Sequence, residues 1–276
     1  MKYDLHTHTR FSDGELDVAG NVERAIGLGL DGIAITDHDG VDSWEVIDSN
    51  KFKIPVIKGV ELSTFYNDTS VHVLGYYKND GGDYSKLASF LKMLRKEREG
   101  RVLKIIDLLK QFDIEITYDE VAKYADGSIG RPHIAQAIIA RYPDRGYTNE
   151  NIFERFIGNG KPAYVPTHKL DTRDAIKLLH DNHCIAVLAH PLLIKPEKLN
   201  YKDLMKEEFD GIEVFYPYSN KAKCKMVLKF AKGKGWLITG GSDFHGPVVR
   251  NTMGQAYNSD EYLAEFLEKI NMKKKN

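Results

Sequence analysis

The feature that most constrains the fold is a repeated order: a short β-branched segment, a polar residue at its end, and then a helical segment. Strands are predicted at seven places along the chain, in the ranges 3–9, 32–36, 54–61, 71–77, 184–189, 211–215 and 236–239. Helical segments separate these strands, which is typical of parallel βα units. The sequence therefore predicts an α/β fold, and its length suits a single barrel with a small insert.

Composition excludes several classes of protein. With 276 residues, of which 42% are hydrophobic, the chain can bury a full core. Its net charge of −1 gives no general attraction for polyanions, so any phosphate must be recognised locally. No apolar run approaches membrane-spanning length, and the first strand begins too early to leave room for a signal peptide. The two cysteines form no disulfide framework, so we expect a cytoplasmic protein.

A long helical region interrupts the strand pattern in the middle of the chain. Helical segments are predicted at 84–112, 118–125, 132–141 and 151–157, with no buried strand among them. We therefore divide the chain into a barrel, residues 1–84 and 166–276, and a helical insert, residues 85–165, that acts as a lid or substrate domain. The sequence indicates no obligate protein partner.

Polar residues with metal-binding side chains stand at the ends of the predicted strands. They are His6 and His8, Asp37 and His38, Glu61, His72, His190, Glu213, and Asp243 with His245. His6 and His8 share one face of the first strand, because side chains alternate along a strand. A lone His-x-His pair is more simply explained as two core histidines. Here similar side chains recur at the ends of successive predicted strands, and that recurrence favours a metal site. In a barrel the carboxyl ends of the strands share one rim, where these residues would converge.

The mixture of ligand types indicates which metals would bind. Imidazoles combined with carboxylates suit Zn, Mn or Fe, and the lack of thiolates argues against a closed structural zinc site. The candidates outnumber the ligands of one ion, so we expect two to three divalent ions that share carboxylates. That arrangement fits in-line displacement at phosphorus, with a metal-activated hydroxide available near neutral pH.

One glycine pattern is misleading. Gly27-x-Gly29-x-x-Gly32 matches the dinucleotide-binding fingerprint as a string. The fingerprint requires a strand before it and a helix that opens within it, whereas here a helix ends and a strand follows. We therefore reject a dinucleotide-binding fold.

Six short motifs resemble those of the polymerase-and-histidinol-phosphatase (PHP) family, in the same order along nearly the whole chain. They are His6-x-His8, Ser12-Asp13-Gly14, Thr36-Asp37-His38, Gly59-Val60-Glu61, Ala189-His190-Pro191 and Ser242-Asp243-x-His245. The resemblance implies a distorted seven-stranded TIM-like barrel with a trinuclear metal centre.

The resemblance also implies a ligand set for each metal. The first metal would take His6, His8, Glu61 and Asp243; the second Asp13, His38 and His245; the third His72 and His190, with Glu61 as a bridge. Asp13 stands where some family members have histidine, so the charge at the second metal is expected to differ from theirs. For His72 and His190, an ordinary core histidine remains the alternative.

A second motif lies in the insert, at residues 128–134. Gly130, Arg131 and Pro132 predict the start of a helix, and a helix N-terminus with an arginine favours anions. In isolation, an ordinary helix cap with a surface arginine is the simpler explanation of the string. Together with residues 160–165, it resembles the PHP branch that acts on nucleoside 3′,5′-bisphosphates and on 5′-phosphorylated oligoribonucleotides. Arg131, His133 and Lys161 are therefore expected to bind substrate.

Basic residues recur every three positions along the predicted long helix. They are Lys92, Arg95, Arg98, Arg101 and Lys104. Such a stripe is either a solvated helix face or an edge that steers phosphates, and the sequence leaves both open.

These observations predict a metal-dependent phosphoesterase that acts on nucleoside 3′,5′-bisphosphates, on the 5′ ends of short RNA, or on both. Arg131 and the metals would stabilise charge on the phosphoryl oxygens, and Asp37 or His245 would give a proton to the leaving alcohol. A histidinol-phosphate phosphatase is the nearest alternative. A non-catalytic metal-binding PHP module is the alternative of another class. Glu213 is considered as a residue that orients a ligand, and His168 receives no role.

Overall fold

The structure, a computed structural model, describes residues 1–48, 51–125, 129–166, 170–195, 197, 199–217, 221–247 and 252–272. Ser128 and His168 lie outside these described residues. The chain divides into two compact units, Met1–Ser89 with Lys169–Asn276, and Phe90–His168.

The first unit is built on one sheet. Its strands are β1 (Lys2–Thr7), β2 (Gly32–Ile35), β3 (Val56–Tyr66), β4 (Thr69–Tyr77), β5 (Cys184–Leu188), β6 (Gly211–Phe215), β7 (Leu237–Gly240) and β8 (Asn258–Ser259). They lie in the order β7-β6-β5-β4-β3-β2-β1-β8. The segment after β7 returns to β1, where His8 N donates a hydrogen bond of 2.8 Å to Phe244 O. The sheet is thus nearly closed, and the predicted barrel is confirmed.

Two details of the strand prediction are wrong. The sheet has eight strands, because the two residues of β8 pair antiparallel with β1. In addition, β4 is antiparallel to β3 and to β5, not parallel. The cause is a two-residue hairpin turn in which Asn67 and Asp68 adopt φ values of 46° and 63°. As a result the beginning of β4, which carries His72, lies at the same rim as the carboxyl ends of its neighbours.

The helices largely follow the predictions. They are α1 (Val18–Gly27), α2 (Ser85–Leu109), α3 (Tyr118–Ala122), α4 (Arg131–Arg141), α5 (Asn149–Ile152), α6 (Thr172–Asp181), α7 (Tyr201–Leu204), α8 (Lys221–Lys234) and α9 (Asp260–Lys269). α1 begins earlier than predicted, because Asp17 caps it by accepting a hydrogen bond of 2.7 Å from Gly20 N. Gly27 ends α1 and Gly32 begins β2, the order that excludes a dinucleotide fingerprint.

The barrel core joins strands to α9. Tyr76 is fully buried, donates a hydrogen bond of 2.8 Å to Leu5 O, and packs edge-on against Phe266 of α9. Nearby, the buried carboxylate of Asp4 accepts hydrogen bonds of 2.8 Å from Ser242 N and Gly254 N. Burial raises the pKa of Asp4 to about 6, although these hydrogen bonds act to lower it. β1 is therefore tied by side chain and backbone to the loops that follow β7.

Helices are the only regular secondary-structure elements among the described residues of the second unit, which has its own apolar core. Val102, Ile105 and Leu109 of α2 pack in this core with Ile134 and Ile138 of α4. None of the helices in the described parts of the chain is long and apolar enough to span a membrane.

Barrel closure depends on Gly241. A Cβ atom there would lie 2.3 Å from His6 Cβ and 2.5 Å from His6 N, a contact that backbone atoms cannot easily relieve. We expect Gly241→Ala to cost about 1–3 kcal/mol of unfolding free energy and to weaken metal binding by displacing His6. Thermal unfolding and metal titration check this. The matched control is Gly27→Ala, whose Cβ would meet nothing within 4 Å. Equal behaviour of the two variants would contradict the prediction.

Candidate metal centre

The centre is built around the fully buried carboxylate of Glu61 in β3. Five imidazole nitrogens lie within 3.3 Å of its oxygens: those of His6 (3.1 Å), His8 (3.2 Å), His38 (3.3 Å), His72 (2.8 Å) and His190 (3.0 Å). The histidines come from different places in the sequence: β1 and its end, the segments after β2 and β5, and β4. The barrel topology therefore brings them to one point, as the strand-end pattern predicts.

The donor atoms form three groups that share members. The groups are His6, His8, Glu61 and Asp243; His8, Asp13, His38 and His245; and His38, Glu61 and His72. His190 belongs to none of them, although its Nε2 lies 3.0 Å from Glu61 Oε1. All nine ligand positions predicted from the sequence thus lie in one cluster, and their role as ligands stays a prediction.

Several donor atoms in this cluster fit a cation better than they fit one another. Among the described residues, His6 Nε2, both ring nitrogens of His8, His38 Nδ1 and Glu61 Oε2 are buried without a hydrogen-bond partner. Buried polar atoms are normally satisfied, because leaving one unpaired costs about 1–3 kcal/mol. Imidazole and carboxylate donors that point at one another in this way are what a divalent ion requires.

Charges at the centre shift the pKa values of its members. Burial lowers the pKa of His8, but Asp243 and Glu61 beside it raise that pKa to about 10. Burial raises the pKa of Glu61, yet the surrounding imidazoles, His38 and His6 first, hold it well below its usual range. Glu61 is therefore ionised, and a bound cation would replace the protons that this negative cluster attracts.

Glu213 in β6 positions two of the histidines. Its Oε1 lies 3.1 Å from His6 Nδ1, and its Oε2 accepts a hydrogen bond of 2.9 Å from His190 N. When His6 Nδ1–H donates to Glu213, the lone pair on Nε2 is directed at Glu61 and Asp243. The orienting role considered for Glu213 from the sequence fits this placement.

We expect Glu213→Ala to lower metal affinity about ten- to a hundredfold, since partners that orient a ligand contribute that much. Metal titration of the chelated protein measures the effect, and circular dichroism checks the fold. A parent-like affinity in a folded Glu213→Ala variant would show that His6 needs no such partner.

Asp37 is placed differently from its predicted catalytic role. Its carboxylate is fully buried and accepts hydrogen bonds from Thr9 N (2.7 Å), Thr9 Oγ1 (2.9 Å) and Ser12 Oγ (2.8 Å). These contacts hold the loop that leads from β1 to Asp13. A buried carboxylate occupied by such donors is poorly placed to protonate a leaving group, so Asp37 is better explained as a residue that positions this loop.

His245, the other candidate proton donor, lies at the accessible side of the centre. Its side chain is 18% exposed, and its Nε2 is 3.4 Å from Asp13 Oδ1. Its Nδ1 lies 2.9 Å from Asp243 O, which fixes the ring orientation.

Two residues of the centre have strained backbone conformations: Asp243 and His190 have positive φ values of 54° and 25°. Such strained conformations in residues other than glycine are concentrated at functional sites.

The predicted anion site lies in the second unit, at the start of α4. One guanidinium nitrogen of Arg131 donates to Ile157 O (3.1 Å) and Asn159 Oδ1 (3.3 Å), and the group lies 5.4 Å from the Tyr164 ring centre. Arg101 also lies against Tyr164, at 6.0 Å. Burial lowers the pKa of Arg101, and the charge of Arg131 lowers it further. Two cations therefore share one aromatic ring, and among the described residues neither has a carboxylate partner.

The other two predicted substrate-binding residues differ in their surroundings. His133 Nδ1 accepts a hydrogen bond of 3.0 Å from Gly130 N and so helps to begin α4. Lys161 has an exposed side chain in the loop after Gly158. A substrate role stays a prediction for both.

Sequence reasoning missed the role of Tyr216. This buried side chain follows β6, and its hydroxyl oxygen accepts a hydrogen bond of 2.7 Å from Leu192 N. It thereby braces the turn after His190. Only its position after a predicted strand was visible in the sequence, and that position gave no sign of this contact.

A family model described as the PHP domain matches residues 4–154, more than half of the chain. The chain belongs to the PHP family. The match contains the motifs from His6 to Glu61 and also Arg131, whereas His190, Asp243 and His245 lie beyond it.

Full-length relatives extend the PHP similarity. A 5′-3′ exoribonuclease of Haemophilus influenzae is 32% identical over 255 residues, which cover 89% of this chain and 90% of the relative. A 3′,5′-nucleoside bisphosphate phosphatase of Chromobacterium violaceum is 28% identical over 259 residues, which cover 88% of this chain and 87% of the relative. The two relatives are named for different reactions, so similarity alone does not select a substrate.

A solved structure supports the fold and the use of metal. A protein of Bifidobacterium adolescentis, described as a metal-dependent phosphoesterase, matches with a TM-score of 0.79 and 29% identity, over 97% of this chain and 96% of that one. With the donor groups around Glu61, these findings support divalent metal binding. The chain is a PHP-family phosphoesterase, a hydrolase of phosphate esters.

Proposed function

We propose that this PHP protein removes the 3′-phosphate of nucleoside 3′,5′-bisphosphates and releases nucleotides from the 5′ ends of short, 5′-phosphorylated RNA. The observation that carries the proposal is that His8, His38 and Glu61 each belong to two donor groups. Overlapping donor groups of this kind, with the Glu61 carboxylate able to serve two ions, would hold cations side by side, and that arrangement suits in-line displacement at phosphorus. The relatives named for these two reactions support a nucleotide substrate.

We assign two to three ions of Mn, Fe or Zn to the centre, because imidazole and carboxylate donors without thiolates suit these metals. The proposed ligands are His6, His8, Asp13, His38, Glu61, His72, His190, Asp243 and His245. When bound, such ions lower the pKa of water and neutralise negative charge on phosphoryl oxygens.

The protein's own residues orient this centre. Glu213 holds His6 with Nε2 directed inward, and Asp37 holds the loop that presents Asp13. Asp37 is buried among its hydrogen-bond donors, and His245 is assigned as a ligand whose Nδ1 donates to Asp243 O, so we propose neither as the group that protonates the leaving alcohol. These contacts keep the donor atoms in position before substrate arrives, which limits reorganisation during the reaction.

We propose that Arg131 binds the phosphate that is not cleaved, assisted by Arg101 and Lys161. Its contacts with Ile157 and Asn159 fix the guanidinium plane and leave further N–H groups for a phosphate. The nearby charge of Arg101 makes an anion between them favourable.

A substrate panel tests the proposal. Chelated protein, reconstituted separately with Mn, Fe or Zn, is assayed for phosphate and nucleotide release. The substrates are a nucleoside 3′,5′-bisphosphate, histidinol phosphate, and one oligoribonucleotide with either a 5′-phosphate or a 5′-hydroxyl. We expect the bisphosphate to yield the nucleoside 5′-monophosphate, and the 5′-phosphorylated RNA to be shortened from its 5′ end. Preference for histidinol phosphate, or no turnover with any metal, would overturn the proposal.

A further inference from the structure

A cavity on the first unit lies between α7 and α8, in a part of the chain that the proposed reaction does not use. Its volume is about 430 Å³, within the range of small-ligand pockets. The apolar part of its lining comes from Tyr201, Met205, Met226 and Phe230. The polar part comes from Lys202, Lys229 and Lys234, and none of the described residues that line the cavity is acidic.

The helix on one side of this cavity is strongly basic. α8 contains no acidic residue and six exposed lysines, namely Lys221, Lys223, Lys225, Lys229, Lys232 and Lys234. Lys232 pairs with Glu261 at 3.1 Å. The other five have no carboxylate partner among the described residues. This local excess of positive charge contrasts with a net charge of −1 for the whole chain.

A second cavity of the same volume provides a comparison within the same unit. It is also about 430 Å³ and is lined by Phe52, Ile26, Lys51 and Lys53, together with Glu23. Here an acidic side chain offsets the lysines, and only one of the lining residues that the structure describes is aromatic. Size alone therefore does not distinguish the α7–α8 cavity, whereas its charge and its two aromatic rings do.

We infer that the α7–α8 cavity and the lysines of α8 bind single-stranded RNA. One base enters between Tyr201 and Phe230, and neighbouring phosphates contact Lys202, Lys229 and Lys234. Aromatic rings interleaved with lysines are the usual means of binding single strands without sequence preference, because every base can stack and every phosphate is charged. The cavity suits one nucleotide and is small for the face of a peptide helix, which favours RNA over an acidic protein.

The position of α8 along the chain suits a role in holding the body of a strand. The end of β6, Phe215, and the start of α8, Lys221, are six positions apart along the chain, so the two ends lie within about 22 Å. β6 carries Glu213, which contacts His6 of the metal centre. From there the lysines extend over about 20 Å of helix. The use of this surface during turnover rests on the proposed RNA substrate, but binding itself is independent of turnover.

Fluorescence anisotropy tests the inference without chemistry. The probe is a 3′-labelled decaribonucleotide with a 5′-hydroxyl, titrated with full-length protein in EDTA at several salt concentrations. We expect Lys229→Ala/Lys234→Ala to weaken binding about tenfold at low salt, and to reduce the slope of log K against log salt by about 1.4. Lys51→Ala/Lys53→Ala, which removes the same charge from the other cavity, should change affinity less than twofold.

A second pair of variants separates stacking from charge. Tyr201→Leu should weaken binding about fivefold or more, whereas Tyr201→Phe should bind like the parent. Equal losses in Lys229→Ala/Lys234→Ala and in the Lys51 and Lys53 control would overturn the inference. Tighter binding of a labelled poly-glutamate peptide than of RNA would also overturn it, in favour of an acidic protein partner.

The outcome is separable from that of the proposed function. Hydrolysis of the nucleoside bisphosphate by Lys229→Ala/Lys234→Ala should match that of the parent, because neither lysine belongs to the catalytic site. If the parent binds RNA as expected but does not shorten it, the proposed RNA reaction fails and the binding surface stands. If the parent protein shortens RNA while all variants bind RNA equally well, the proposed binding surface is wrong and the proposed reaction stands.

Discussion

Glu61→Gln is expected to strip the protein of bound metal and to lower kcat/KM by about a thousandfold or more. The reason is that one buried carboxylate contacts five imidazoles and belongs to two of the three donor groups. Charge stabilisation by metal ions is worth several kcal/mol, and each 1.4 kcal/mol is a tenfold change in rate. Elemental analysis after reconstitution and initial rates on the preferred phosphoester measure the two effects.

The matched control is Glu207→Gln in the same unit. Glu207 accepts a hydrogen bond of 2.8 Å from Tyr66 and lies 3.2 Å from Arg173 Nε, so it is a paired glutamate outside the donor groups. We expect its loss to lower thermal stability slightly and to leave metal content and turnover unchanged. If Glu61→Gln kept parental metal content, the centre would not depend on a shared carboxylate, and the ligand assignment would be wrong.

The cluster around Glu61 was predictable because its candidate ligands interrupt strongly apolar segments. His6 and Glu61 are costly to bury unless each gains a partner, and a barrel gives polar residues at strand ends a common location. Such reasoning specifies which residues converge. It does not specify which residues belong to more than one donor group. His8 and His38 each belong to two groups because of the orientations of their rings in the closed barrel, and the sequence does not give those orientations.

We predicted the wrong direction for β4 because helical segments separate most of the predicted strands, and that order is typical of parallel strands. The local signal was nevertheless present, since Asn67 and Asp68 are residue types that tolerate positive φ in hairpin turns. His72 lies with the other candidate ligands because β4 is antiparallel, and its role as a ligand stays a prediction. An antiparallel β4 places His72 near its beginning at the rim, which is where a parallel strand would have placed a residue near its end.

The burial and the hydrogen-bond partners of Asp37 and Arg101 could not be predicted from their spacing in the sequence. The burial of Asp37 depends on a loop that folds back to give it Thr9 and Ser12 as donors.

The basic residues that recur every three positions along α2 do not share one face. A spacing of three residues turns 60° short of a full helical turn, so such a stripe drifts around the helix. Lys92 and Lys104 are therefore exposed, whereas Arg101 is partly buried and donates to Val165 O.

The second large effect concerns the phosphate that is not cleaved. If Arg131 binds it, the parent should prefer a nucleoside 3′,5′-bisphosphate over the 3′-monophosphate by about ten- to a hundredfold in kcat/KM. A charge-assisted contact is worth about 1.5–3 kcal/mol, and binding energy remote from the reacting atoms can be used to lower the barrier. In Arg131→Ala this preference should nearly vanish, while the rate on the monophosphate stays close to that of the parent.

The parent and Arg131→Ala, each assayed on the bisphosphate and the monophosphate, give four rates. Together these rates distinguish a loss of phosphate recognition from general damage to the protein. Arg141→Ala is the control, because Arg141 lies at the other end of α4, is 59% exposed and pairs only loosely with Glu120 at 3.4 Å. It should retain the full preference for the bisphosphate. If Arg131→Ala instead slows both substrates equally, Arg131 supports the fold or the chemistry through its contacts with Ile157 and Asn159. The second phosphate would then have to be bound by other residues.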